Sequence, residues 1–324
     1  MSRVLVTGAG GAAGVCVVRA LLHGGHHVVA ADPDPLAAGL YLADDRVLLP
    51  FAHDAAFALA VVAAATEHHL DAVITTVAEE VPALAGVVDE LNRAGAAIWL
   101  SPIATVLTCI DKWEFARATE AAHLPVPATA LGATAGSPAA TVPGPWVVKP
   151  RFGRGSRDVH LVDDPDELAC AVRQTPDAVV QTRCSGHEFT VDALVDRDGA
   201  VAGVVPRWRL ETKAGISSKG TTFSDARVDE LVRATVGALG LQGALNLQGF
   251  IDESGPDQVH LLEVNPRFSG GLALSLASGA DLVGEFLRGT LGLPLRPERL
   301  VHADGVTMSR YYAEVFVTEQ GEPL

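Results

Sequence analysis

LLEVNPRFSGG, Leu261 to Gly271, sets a carboxylate, a carboxamide and a guanidinium at alternate positions behind an apolar run. In an extended strand, side chains two apart share a face, so Glu263, Asn265 and Arg267 would point into one cavity. Glu and Asn carry the hard oxygens that magnesium prefers, while Arg267 can neutralise a phosphate or a developing oxyanion. The grouping points to nucleotide chemistry. The plain alternative is a solvated strand end beside an Asn-Pro turn, and the rest of the chain decides between the two.

A chain of 324 residues with 48% apolar content can bury two or three substantial cores, which argues for several domains. Its 24 basic and 39 acidic residues give a net charge of −15, which disfavours a phosphate backbone as partner, so no nucleic acid is expected. Cys16, Cys109, Cys170 and Cys184 are widely spaced and lack zinc-type pairing, so they read as reduced thiols. RVLVTG near the start carries no leader pattern and no window reaches membrane-spanning length, so a cytoplasmic protein without a membrane partner is expected.

From Arg3 to Leu100, short β-rich runs (RVLVT, HHVVAAD, DAVITT, AAIWL) alternate with longer amphipathic ones (GAAGVCVVRALLHG, EEVPALAGVVDELNRAG). That alternation predicts a parallel sheet covered by helices on both faces, a Rossmann-like first domain. A second unit begins near Ser101 with a helix around Asp111 to Ala122. LPVPAT follows, then a Gly/Ala/Pro/Thr-rich surface connection from Gly132 to Pro145. WVVKP, the glycine-rich FGRGSR, DVHLV and a helix in DDPDELACAVRQ come next. HEFTVDALVDRDGAVAGVVPRWRL then reads as strands around a DRDG turn, before a helix from about Asp225 to Leu239.

Two glycine-rich loops invite a phosphate. Gly8-Ala9-Gly10-Gly11-Ala12-Ala13-Gly14 follows a strand, opens a helix and has Asp32 at the end of the next strand, which is a dinucleotide fingerprint on its face. The same glycines also suit any tight strand-to-helix turn. Lys149 ends an apolar strand, and Gly153, Gly155 and Ser156 would let backbone amides approach phosphates beside it. The stretch from Arg207, Trp208 and Arg209 to Lys219 reads as a cationic loop able to fold over substrate, against a solvated hairpin. The pairs His26/His27 and His68/His69 lack metal-ligand spacing and are taken as structural, whereas His187 falls beside Glu188. Glu79 and Glu80 suit a helix N-terminus, with capping the simpler account.

The ordered series DKWEFA, LPVPAT, VVKPRFGRGSRDV, VVQTRCSGHEFTVDAL, PRWRLETKAGISSKGTT, NLQGF and LLEVNPRFSGG resembles the ATP-grasp superfamily over nearly the whole chain. The resemblance is to carboxylate-amine ligases similar to the carbamoyl-phosphate synthase large subunit. It implies an α/β and α+β protein: a Rossmann-like pre-ATP-grasp domain (1–104) followed by a two-part ATP-grasp domain, with a small ATP-binding subdomain (105–183) and a C-terminal subdomain holding the metal and substrate site (184–324).

The same resemblance implies residue roles. Lys112 and Lys149 match the positions that hold the nucleotide phosphates, and Phe152 to Arg157, with Gly153, Arg154, Gly155 and Ser156, match the loop that closes over them. Gln181, Thr182, Arg183 and Cys184 match the hinge that accepts adenine, and Glu188 the acid that binds the ribose. Gln248, Glu263 and Asn265 match magnesium-binding positions, for ATP with two Mg2+ ions or Mn2+ in their place. Arg267 matches the arginine on the transferred phosphoryl group, and Arg207, Arg209, Lys213 and Lys219 are assigned to substrate or phosphate contacts. His123 stands where the family commonly has glycine, and Cys184 where it has a bulkier residue.

The implied activity is ADP-forming ligation of a small-molecule carboxylate and an amine through an acyl phosphate, on amino-acid-like substrates, with a homodimer as the suggested assembly. The competing readings are an NAD(P)-dependent oxidoreductase built on the first glycine loop and Asp32, and a nucleotide-binding regulator without turnover.

Overall fold

The computed structural model describes residues 1–133, 141–153, 155, 157–254 and 259–318. The first sheet is parallel, in the order β3-β2-β1-β4-β5, formed by β1 (Arg3–Thr7), β2 (His27–Asp32), β3 (Asp45–Leu48), β4 (Ala72–Thr75) and β5 (Ala97–Ile98). Its strands are apolar on both faces because helices cover both. Val4, Val6, Val28 and Ala30 pack against α1 (Ala12–His23), while Leu5, Val29 and Val73 pack against α2 (Phe57–Glu67), α3 (Val81–Ala85) and α4 (Val88–Arg93). The run expected to be one amphipathic segment after β4 is therefore two short helices, parted at Gly86 and Val87.

Two helices follow, α5 (Ile103–Ile110) and α6 (Lys112–Ala121), where the sequence shows only the second. A small antiparallel sheet comes next, in the order β6-β9-β7-β8, from β6 (Thr129–Leu131), β7 (Trp146–Pro150), β8 (His160–Val162) and β9 (Ala178–Thr182), with α7 (Pro165–Gln174) packed on it. The seven residues from 134 to 140, within the expected surface connection, lie outside the described residues.

The largest sheet is antiparallel, in the order β14-β13-β10-β11-β12-β15. Its strands are β10 (His187–Val195), β11 (Val201–Lys213), β12 (Ile216–Thr222), β13 (Gly243–Ile251), β14 (Val259–Asn265) and β15 (Thr307–Ser309), with α8 (Ala226–Leu239), α9 (Leu272–Ala277) and α10 (Leu282–Thr290) between them. Phe189, Val191, Leu245, Leu247 and Leu261 turn one face toward Val228 and Leu231 of α8 and Phe115 of α6. The opposite face carries polar residues in register: Thr190 pairs with both Arg207 and Gln248, Gln248 with Glu263, and Asn246 with both Asp192 and Asn265. A register shift between Gln248 and Gly249 sets Leu262 out of step, so Leu261 joins the core while Glu263 faces the polar side.

The stretch expected to be a cationic loop is instead the β11–β12 hairpin. It turns at Ala214 and Gly215, both at positive φ (49° and 74°), with Lys213 paired to Ile216. Two successive left-handed residues make the tight turn whose twist matches that of flanking strands, which explains why this segment is ordered ladder and not loop. Trp99 stacks on Phe286 of α10 at 5.1 Å, joining the first domain to the last helices in one core. Among the described residues, no helix is long and apolar enough to cross a membrane.

The first glycine loop is closed by packing. A Cβ on Gly14 would lie 2.2 Å from the Gly8 carbonyl oxygen and 2.7 Å from Ala9 Cα. Gly14→Ala should therefore lower unfolding free energy by about 1–3 kcal/mol, the usual cost of overpacking, measured by urea denaturation.

Candidate active site

Four elements, α6, β7, β9 and β14, converge on an open cleft of about 670 Å³ whose wall includes Lys112, Lys149, Gly153, Gln181, Glu263, Asn265 and Arg267. The start of α6 is fixed first. Asp111 caps the helix by accepting from the Trp113 and Glu114 amides, and it receives Arg151 through Nε at 2.7 Å and Nη2 at 2.5 Å. That two-pronged pair ties α6 to the end of β7 and sets Lys112 beside Lys149. Lys112 Nζ then donates to the Gly153 carbonyl at 2.9 Å.

Lys149 is buried and donates to Gln181 Oε1 at 2.9 Å, while Gln181 Nε2 donates to Thr129 Oγ1 at 3.0 Å. Burial pulls the Lys149 ammonium down to about 8; Glu263 opposes that fall and Lys112 adds to it. Burial also lowers Lys112, again against Glu263. Two desolvated ammonium groups facing one carboxylate form a site that gains strongly from an incoming polyanion, since Coulomb interactions strengthen where water is excluded.

Across the cleft, Asn265 Nδ2 donates to Glu263 Oε1 at 3.0 Å, and Arg267 reaches Asn265 Oδ1 at 3.3 Å and the Phe268 carbonyl at 2.8 Å. Gln248 donates through Nε2 to Glu188, which leaves its amide oxygen as an acceptor, and Arg209 pairs with Glu188 at 3.3 Å. Burial lifts the Glu188 carboxyl above its usual range, with Arg209 and Gln248 working the other way. Among the described residues, no group of three or more His, Cys, Asp or Glu could hold a metal alone. One carboxylate with two carboxamides nevertheless fits a magnesium ion that arrives with phosphate oxygens, which is how that ion is ordinarily held.

Several expected residues stand elsewhere. Arg207, expected at the substrate or phosphate, lies in the interior at 2% exposure, its Nη2 3.0 Å from Asp192 Oδ2 and 3.0 Å from Ser269 Oγ. Asp192 also accepts from Ser275 Oγ at 2.6 Å, so the pair anchors the segment that leads into α9. Lys213 and Lys219 flank the exposed hairpin turn, both near Glu211 (3.9 and 2.8 Å), and neither lines the cleft. Arg183 reaches away to Asp163 at 2.5 Å and Thr182 Oγ1 donates to the Pro143 carbonyl. Cys184 lies beyond them with its thiol pushed up to about 11 by burial. Gly153 and Gly155 hold positive φ (125° and 70°), whereas Arg154 and Ser156 lie outside the described residues.

Glu79, for which capping was the simpler account and a place at the ligand cleft the one implied by the resemblance, lines the cleft with Ala78 and Cys109. Its place just past β4, at the end of the parallel sheet, was the available signal. In the first glycine loop, Asp32 accepts from the Gly10 amide at 2.7 Å and from the Asp34 amide at 3.0 Å. A Cβ on Gly10 would meet Ala37 at 2.8 Å, and one on Gly39 the Ala9 carbonyl at 2.1 Å. The acid that a dinucleotide ribose would need is therefore bound to the loop itself.

Residues 174–313 match the family described as ATP-grasp in the biosynthetic pathway with Ter operon, and residues 4–99 match the PylC-like N-terminal domain. An uncharacterized protein, y4rH, of Sinorhizobium fredii strain NGR234 is 28% identical over 205 residues, 57% of this chain; the chain spans only 42% of that relative's length. Among solved structures, an L-amino acid ligase from Bacillus licheniformis is similar at a TM-score of 0.70 and 20% identity, over 90% of this chain and 74% of that one. Biotin carboxylase from Campylobacter jejuni, in complex with β,γ-ATP, is similar at 0.73 and 16%, over 93% and 74%. N5-carboxyaminoimidazole synthetase from Staphylococcus aureus, complexed with ADP, is similar at 0.72 and 15%, over 91% and 78%. Likeness at these identities establishes a shared fold.

Removing one partner of a buried ion pair leaves an uncompensated charge. Arg207→Ala should cost roughly 3–5 kcal/mol of unfolding free energy. Lys213→Ala and Lys219→Ala, at exposed sites, should each stay within about 0.5 kcal/mol by the same denaturant titration.

Proposed function

We propose, for a chain that carries a PylC-like N-terminal domain and an ATP-grasp domain, that it is an ATP-dependent ligase joining a small carboxylate to an amine, with release of ADP and phosphate. The observation that carries this reading is the cleft itself, with Lys112 and Lys149 on one side and Glu263, Asn265 and Arg267 on the other.

In this reading Lys112 and Lys149 hold the nucleotide phosphates, and Gly153 and Gly155 approach them through backbone amides. Residues 181–184 receive the adenine and Glu188, braced by Arg209 and Gln248, the ribose hydroxyls. Gln248, Glu263 and Asn265 would hold magnesium, which when bound would supply positive charge against the negative charge that develops on the phosphates. A carboxylate oxygen of the substrate attacks the γ-phosphorus, and the bond from that phosphorus to the bridging oxygen breaks as ADP leaves. Arg267 stabilises the transferred phosphoryl group. The amine nitrogen then attacks the acyl carbon, the bond to phosphate breaks, and the amine gives up a proton. No protein nucleophile takes part, so the chain's contribution is positioning and charge.

Amino-acid-like substrates suit the reading, since the neighbouring L-amino acid ligase shares the fold over most of its length. The test is ADP and phosphate release from ATP and magnesium against pools of amino acids, dipeptides and other amines. Substrate-dependent ADP formation is expected, falling roughly a hundredfold or more in Glu263→Ala, because loss of groups that only support metal ligands already costs about 10–100-fold. Exclusive AMP formation would contradict the acyl-phosphate route. ATP binding without turnover in every pool would favour the regulator.

A further inference from the structure

Glu80 sits where β1 and β4 end side by side, the point at which the strand order of the parallel sheet reverses, and it is 6% exposed. Its Oε2 is in hydrogen-bond contact with the hydroxyls of Thr7, from β1, and Thr75, from β4. The charges acting on it, Asp32 at the end of β2 and its own neighbour Glu79, are both acidic. A buried carboxylate with two acidic neighbours is strongly disfavoured.

The hydrogen count agrees. The Thr75 hydroxyl has one hydrogen but faces two acceptors, the Val77 carbonyl at 3.1 Å and Glu80 Oε2. With a proton on Glu80, the acid donates to Thr75, Thr75 donates to Val77, and Thr7 donates to Glu80, so every hydrogen has an acceptor. Burial pushes this carboxyl up to about 7, against the threonine hydrogen bonds.

The turn so held continues into the cleft. Thr76 Oγ1 donates to the Thr7 carbonyl at 2.9 Å, and Ala78 and Glu79, on the same turn, line the cleft wall. We propose that Glu80 is a positioning residue for the ligase reading on which this inference rests: as the neutral acid it ties the end of β1 to the turn after β4 and keeps Ala78 and Glu79 in place. Ionisation leaves the Thr75 hydrogen contested and adds a third negative charge to the group. Because the folded carboxyl titrates above its ordinary value of 4.5, its stabilisation is complete below that value and is lost as pH rises through about 7.

The experiment is hydrogen exchange of amides 76–81, corrected for intrinsic rates, from pH 6 to 8.5, beside the carboxyl 13C shifts of glutamate-labelled protein. Protection in the wild type should fall several-fold with a midpoint near 7, following a resonance that is missing from Glu80→Gln. That variant keeps a donor at every pH and should show flat protection. A Glu80 resonance titrating below pH 5, or the same protection profile in Glu80→Gln, would overturn the proposal. Neither readout needs turnover, so it is distinguished from failure of the ligase reading, which would appear as no ADP from any substrate pool. Where ADP forms, KM for ATP should rise over the same pH interval in the wild type and not in Glu80→Gln.

Discussion

The pairing of β13 with β14 is the constraint on which the site depends. Antiparallel register places Gln248 opposite Glu263 and Asn246 opposite Asn265, so oxygen donors from two strands meet on one face. That meeting requires the bulge at Leu262. In an unbroken strand Leu261 and Glu263 would share a face, and either a carboxylate would enter the core beneath α8 or a leucine would leave it. One inserted residue resolves the conflict and lets a single short strand serve both core and cleft.

The polar face so created is long, and its members differ in what covers them. Toward the cleft, Glu263 and Glu188 are half-buried and can meet a ligand. Toward α9, Asp192 and Arg207 are sealed in and paired, with Ser269 and Ser275 bonded to them, and Arg207 Nε is left without a hydrogen-bond partner among the described residues. The closeness of that seal is seen at Gly271, where a Cβ would lie 2.2 Å from Arg207 Nη1. The guanidinium thus fills the space under the backbone that leads on from Arg267, which gives it a mechanical role beneath that segment.

This distinction explains which residues were legible in the sequence. Parallel strands announced themselves through unbroken apolar runs, and Lys149 and the Glu263–Arg267 alternation through their place at strand ends. Arg207 and Arg209 carry the same signal, two cations at alternate positions, yet one is interior and the other pairs beside the cleft. The difference lies in Asp192 and in the cover provided by α9, both set by register across three strands. Glu80 does stand at a helix start, but its side chain makes no cap; its partners Thr7 and Thr75 meet only because β1 and β4 are neighbours, which a local reading does not reach. The β11–β12 hairpin is the alternative that the sequence left open beside a cationic loop; its polar composition, with serine, lysine and glycine at alternate positions, resembles a loop unless the two-residue turn at Ala214 and Gly215 is recognised.

The cleft is held in electrostatic tension before any nucleotide arrives. Lys149 is buried at a cost that its hydrogen bond to Gln181 and the charge of Glu263 only partly offset, as its lowered titration shows. Lys112 adds repulsion from the same side. A folded protein keeps two such cations close only where the surrounding structure over-determines them, and here the Asp111–Arg151 pair and the Gln181–Thr129 bond do so. A polyphosphate would relieve that repulsion without moving either lysine. Binding energy would then not go into rearranging the lysines, and it would favour a phosphate group above a neutral ligand of the same size.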